Sequence, residues 1–107
     1  MLLEKPNLDA LIAAIQNVYG REALGLLKAR RSDRTSCELR ALAAWATMEL
    51  SRATLTELAA LCGRDVATLS YAARRAHILG QDPAVFGKMR QLEEELSAAG
   101  EPLVKEQ

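Results

Sequence analysis

Residues 54–76, TLTELAALCGRDVATLSYAARRA, read as two helices joined by a turn too short for them to lie antiparallel side by side. Thr54 followed by Glu57 is a capping box. The threonine oxygen accepts from one orphan N–H at a helix start while the glutamate reaches back to another, so a helix is predicted from Leu55. Leu55, Leu58, Ala59 and Cys62 keep to one face, and Gly63 stands where a left-handed residue ends a helix. Asp65 then caps a second helix whose inward stripe is Leu69, Ala72, Ala73, Ala76 and Leu79.

Two helices so connected must cross steeply. A helix-turn-helix requires a small residue where the two backbones approach, a glycine in the turn and an apolar residue that locks the second helix, and Ala59, Gly63 and Leu69 have that spacing. With Leu69 and Ala72 inward, the residues Asp65, Val66, Ala67, Ser70, Tyr71 and Arg74 face outward, the side that in this motif enters the DNA major groove. An ordinary helical hairpin has the same spacing by chance, so the stretch leaves both readings open.

The rest of the chain is consistent with one small all-helical domain. Its 107 residues are half apolar, only 4% aromatic, and rich in alanine and leucine, with no alternating β-branched segment, so no strands are expected. No apolar run approaches about eighteen residues and the first residues carry no signal-peptide pattern, which predicts a soluble, cytoplasmic protein; nucleoid association is expected only with the DNA-binding reading. Cys37 and Cys62 lack ligand spacing and are expected to be reduced, buried thiols; no metal or cofactor is predicted. The lone histidine, His77, suits the C-terminal end of its helix better than catalysis, and nothing in the chain points to an enzyme.

The net charge is zero, but the charges are segregated. Residues 20–79 hold ten Lys/Arg against six Asp/Glu, whereas residues 80–107 hold three against six. The densest cationic stretch, KARRSDR at 28–34, has four cations and one acid and no apolar period. It is either a solvated linker or a basic loop whose planar guanidiniums lie in a narrow minor groove.

In chain order, Asn7 caps a first helix with the stripe Leu8, Leu11, Ile12, Ile15 and Val18, ended by Gly20. A short helix over 21–28 turns Ala23, Leu24 and Leu27 inward. Thr35 and Glu38 form a second capping box, starting a helix to about Ser51 with two apolar stripes, one of them Ala41, Ala44, Trp45 and Met48. A helix apolar over most of its circumference is the centre of a domain, and Trp45 is then core. Arg40 and Arg52 flank its apolar faces, within possible reach of phosphates. Gly80 breaks the chain, and Asp82-Pro83 opens a last helix with Val85, Met89, Leu92 and Leu96 in line. This stripe closes the core of a monomer or pairs two chains through residues 83–99, with packing within the chain favoured. Glu93, Glu94 and Glu95 read as a solvated face, and EPLVKEQ, 101–107, as a frayed tail after a domain spanning 1–100.

Two apolar helices, a basic loop KARRS, a long Ala/Leu helix ending in MEL, and LTELAALCGRDVATLSYAARR resemble the C-terminal DNA-binding domain of the bacterial replication initiator DnaA. ALAAWATMEL and YAARR resemble at least as closely the same module at the C-terminus of REP-associated tyrosine transposases. The resemblance covers roughly residues 8–79. It implies five to six helices around a central long helix, a helix-turn-helix of the Trp-repressor-like type over 54–79, and binding to double-stranded DNA, as a module of a transposase-related or a replication or regulatory protein beside other domains.

GRDVAT resembles the initiator's GRDHTT signature. The resemblance gives Asp65 the reading of a base, Thr68 and Arg64 contacts to phosphate, Arg31 entry to the minor groove, and Arg74 and Arg75 contacts to the backbone. The remaining outward side chains, Val66, Ala67, Ser70 and Tyr71, are then near base edges, with Arg30, Arg34 and Thr56 on phosphates. Val66 and Ala67 stand where the initiator has histidine and threonine. Methyls replace hydrogen-bonding groups, and each lost polar base contact changes discrimination by about 1–3 kcal/mol. The turn is one glycine shorter and the basic loop about one residue longer, with Asp33 inserted. The alternative is a protein-interaction module on the same fold, with Val66, Ala67, Tyr71 and the last helix as its surface.

Overall fold

The structure, a computed structural model, describes residues 3–4, 6–29, 33–99 and 101–102. Six helices account for nearly all of it: α1 (Leu8–Tyr19), α2 (Ala23–Lys28), α3 (Arg34–Leu50), α4 (Leu55–Cys62), α5 (Val66–Leu79) and α6 (Pro83–Ala99). One antiparallel pairing two residues long, β1 (Leu3–Glu4) with β2 (Glu101–Pro102), joins the ends of the chain. No strand was expected, and the tail was expected to fray from 101. Two residues are too short to show the period of a strand, so the sequence carries no signal for the pairing.

The core is built on α3. Every residue from Leu39 to Thr47 is buried, so this helix presents no solvent face over nine consecutive positions. Short alanines on its several faces let neighbours approach closely, and α1, α2, α4, α5 and α6 all pack against it. Trp45 is 7% exposed and belongs to the core as expected, but Met48, placed in the same stripe, is 53% exposed at the edge of a depression beside Ala73, Arg74 and His77. Arg40, expected to flank the apolar faces, is only 8% exposed. Thr47 and Ser51 are buried by donating their hydroxyls to the carbonyls of Ala43 and Thr47, at 2.8 and 2.9 Å.

The helix ends test the capping arguments one by one. Asn7 caps α1 by accepting from Ala10 N, and Gly20 follows it with φ 101°. Thr54 and Glu57 form the reciprocal capping box of α4. At the start of α3 the expected box is absent: Asp33 is the cap, accepting from Ser36 N at 3.2 Å, and Thr35 lies inside the helix. Glu38 is thereby free for another partner. Its Oε2 accepts from the Tyr19 hydroxyl at 2.6 Å and from Lys88 Nζ at 2.7 Å, while the Lys88 ammonium lies 4.7 Å from the centre of the Tyr19 ring. One carboxylate therefore ties α1, α3 and α6 together.

Along α6, Val85, Met89, Leu92 and Leu96 are all buried against α1 and α3, so the stripe closes the core of its own chain rather than waiting for a second one. Glu95, expected on a solvated face, is half-buried and accepts from Asn17 Nδ2 at 3.0 Å. Gly80 earns its place by closeness rather than by backbone twist. Its φ is −68°, and a Cβ there would come within 2.8 Å of the Met89 sulfur.

Two outcomes follow. Thr54→Ala and Asp33→Ala each lower stability by about 1 kcal/mol in urea unfolding, whereas Thr35→Ala changes it by less than about 0.5 kcal/mol. Burial first, then the hydrogen bond to Glu38 and its charge, push the Tyr19 hydroxyl well above its ordinary value of 10.0. The fold favours the protonated phenol, so this contribution is fully present below pH 10 and is lost as pH rises beyond it. The stability difference between wild type and Tyr19→Phe accordingly shrinks above pH 10, measured as urea midpoints across pH.

Candidate nucleic-acid interface

The α4–α5 pair is held by backbone conformation at one residue. Gly63 has φ 69° and ψ 35°, a left-handed conformation that L side chains adopt only at a cost, and its N–H returns to Ala59 O. Nothing lies within 4 Å of where a Cβ would stand, so the constraint is conformational and not spatial. Ala59 is 5% exposed, the small buried residue that the spacing required, and the Arg64 N–H also returns to its carbonyl at 3.1 Å.

Asp65 starts α5 with its Oδ1 accepting from Thr68 N at 2.7 Å. The hydrogen bonds from the Thr68 backbone and then its side chain hold this carboxyl below the usual carboxylate range. Leu69, Ala73 and Ala76 anchor the helix inward, with Ala72 and Leu79 half-buried beside them. The opposite side is open: Val66 is 41% and Tyr71 58% exposed, Asp65, Ala67, Thr68, Arg74 and Arg75 are exposed, and Ser70 is half-buried. Ser70 Oγ accepts from Arg74 Nη1 at 3.2 Å, so this arginine lies along the helix.

Hollows flank α5 on both sides. Toward α3 and the start of α6 there is a groove of about 440 Å³, bordered by Tyr71, Arg75 and Ile78 of α5. On the other flank Trp45, Met48, Arg74 and His77 border a shallower depression of about 110 Å³. The helix therefore stands as a ridge, and α6, packed on α1 and α3, does not lie across its outer face.

The other expected contact residues divide. Arg34 is exposed on the first turn of α3, its Nη2 4.0 Å from Asp82 Oδ2, and Thr56 is exposed on the first turn of α4. Arg30 and Arg31 lie outside the described residues. Arg64 is not a free surface arginine. It is half-buried, its Nη2 donates to the carbonyl of Ala29 at 2.6 Å, and its buried Nε has no hydrogen-bond partner among the described residues. Its guanidinium thus ties the α4–α5 turn to Ala29, the second residue of the basic stretch, a role that only the fold could reveal. Ile78, 61% exposed and off the inward stripe, was also missed; a large aliphatic between Ala76 and Leu79 on the wrong face was the available signal.

The two thiols differ. Cys62 is buried, and burial raises its pKa against the lowering effect of Arg64, Arg40 and Lys28. Cys37, expected to be buried too, is exposed beside the buried Ser36 on the first turns of α3. Among the described residues no group of three His, Cys, Asp or Glu side chains is placed to hold a metal ion, and no helix is long and apolar enough to cross a membrane. Comparison of the chain with protein-family models, curated proteins and solved structures gives no match.

Arg64→Ala is expected to lower stability by about 1.5 kcal/mol in urea unfolding, the scale of a hydrogen bond from a charged donor. Arg74→Ala, on the open face of the same turn and helix, changes it by less than about 0.5 kcal/mol.

Proposed function

We propose that this chain binds double-stranded DNA, with α4 and α5 acting as a helix-turn-helix and α5 lying in the major groove. The observation that carries this reading is the ridge: α5 projects between two hollows with its outer side chains uncovered, which suits insertion between phosphate rails. Asp65, Val66, Ala67, Ser70 and Tyr71 face the base edges. A carboxylate has about four acceptor positions, so Asp65 can cap its helix and still accept from a cytosine amino group. The methyls of Val66 and Ala67 suit thymine C5-methyl groups.

Arg34, Thr56, Thr68, Arg74 and Arg75 lie toward the phosphates, which position the helix, while the base contacts specify the sequence. Arg30 and Arg31 supply the basic loop, with Arg31 in the adjacent minor groove. Arg64 is bonded to the Ala29 carbonyl and is assigned to the turn rather than to a phosphate. The chain acts as a module of a transposase-related or a replication or regulatory protein.

A second reading has its own support. Val66, Tyr71 and Ile78 of α5 and Phe86 of α6 are large apolar side chains between 41% and 61% exposed, which suits a protein partner.

Fluorescence anisotropy with duplex DNA across salt concentrations separates the two. With about five phosphates neutralised, log K falls against log salt with a slope of about −4.5, and Arg75→Ala makes the slope shallower by about 1. Ser70→Ala leaves the slope unchanged and alters preference among selected sequences by about 5-fold or more, the lower end expected of a base contact. A flat salt dependence, or no binding to any duplex from a random pool, sinks the DNA reading and leaves the protein-partner one.

A further inference from the structure

The groove on one flank of α5 has a chemistry of its own. Ala41 of α3, Ala72 and Leu79 of α5 and Val85 of α6 line it with apolar surface, and the exposed Tyr71 and Ile78 form its outer wall. Its volume, about 440 Å³, falls within the range of sites that hold small molecules. Leaving Tyr71 and Ile78 more than half exposed is unfavourable for a surface with no occupant, because each keeps apolar area in water.

Charge decides what would fit. Three guanidiniums, Arg34, Arg40 and Arg75, border the groove against two carboxylates, Glu38 and Asp82. Glu38 is already held by Tyr19 and Lys88, and Asp82 accepts from Ala84 N at 2.9 Å beside Arg34. Arg40 is set into the wall, 8% exposed, with its Nη2 donating to Cys37 Sγ at 3.5 Å. A guanidinium has five N–H donors in a fixed fork that matches a carboxylate or sulfonate. An apolar lining bordered by three guanidiniums against two already engaged carboxylates selects a ligand with an apolar body and one anionic head.

We propose that this groove is a binding site for a small amphiphilic anion, an alkyl or aryl carboxylate or sulfonate, with its apolar part against Ala72, Ile78, Leu79 and Val85 and its head between Arg75 and Arg40. Tyr71, Arg34 and Arg75 also belong to the proposed DNA face, but the site does not rest on that reading, since neither the ligand nor its test involves DNA.

The test uses the intact chain with 1-anilinonaphthalene-8-sulfonate as fluorescent probe and decanoate as competitor. The expected result is saturable one-to-one binding to protein that still melts cooperatively, with displacement by decanoate. Arg75→Glu weakens probe binding at least 10-fold, whereas Arg21→Glu, an equal charge change outside the groove, leaves it within 2-fold. Cys37 borders the groove and Cys62 is buried, so maleimide labelling of the native protein reports the site directly. Decanoate slows Cys37 labelling several-fold in wild type and not in Arg75→Glu. Absence of saturable binding, equal affinity in Arg75→Glu and wild type, or a labelling rate indifferent to decanoate each overturns the proposal.

Discussion

A helix buried on all sides sets the terms for everything around it. From Leu39 to Thr47, α3 offers no residue to solvent, and the alanines among those positions let other helices come near enough to exclude water. Apolar surface in a chain of this size is limited, so one shared helix is an efficient way to bury it. The remaining helices take their positions from the side of α3 that they cover. Helix α5 makes the most extensive contact with α3, while α1, α2, α4 and α6 also pack on it and α6 packs on α1 as well.

Two polar side chains then fix the pieces that burial alone leaves free to slide. Glu38 accepts from Tyr19 and Lys88, residues 19 and 50 positions away, and so joins three helices at one carboxylate. Arg64 reaches 35 positions back to the Ala29 carbonyl and ties the turn before α5 to that residue. Hydrophobic packing has no direction, whereas these hydrogen bonds have definite partners and geometry. Packing sets α4 and α5 against α3, and the Arg64 guanidinium adds a directed link from the turn before α5 to Ala29. The lack of cover on α5 follows from the same economy: α6 uses its whole apolar stripe on α1 and α3 and has none left for the outer face of α5.

The candidate site was legible where its physics is local. Asp65 as cap, Gly63 as left-handed stop, the inward run Leu69, Ala73, Ala76 and the outward Val66, Ala67 and Tyr71 all follow from neighbours within one or two turns. It was illegible where a side chain chooses among distant partners. Glu38 suited a capping box with Thr35 equally well on paper. In the structure Asp33 is the cap and Glu38 bonds Tyr19 and Lys88 instead. Arg64 and Arg40, cationic in a basic region, looked like surface groups; one is bonded inward and the other set into a wall.

The sequence by itself determined six helices, nearly all of their ends and the inward face of each, because caps, glycine stops and apolar periods act over a few residues. Tertiary structure alone decided which cations remain at the surface, which thiol is open, and that a groove with a cationic rim runs beside α5. Those properties depend on where α1, α3 and α6 converge, and the free energy of a charged or polar side chain is set by partners that no short window of sequence contains.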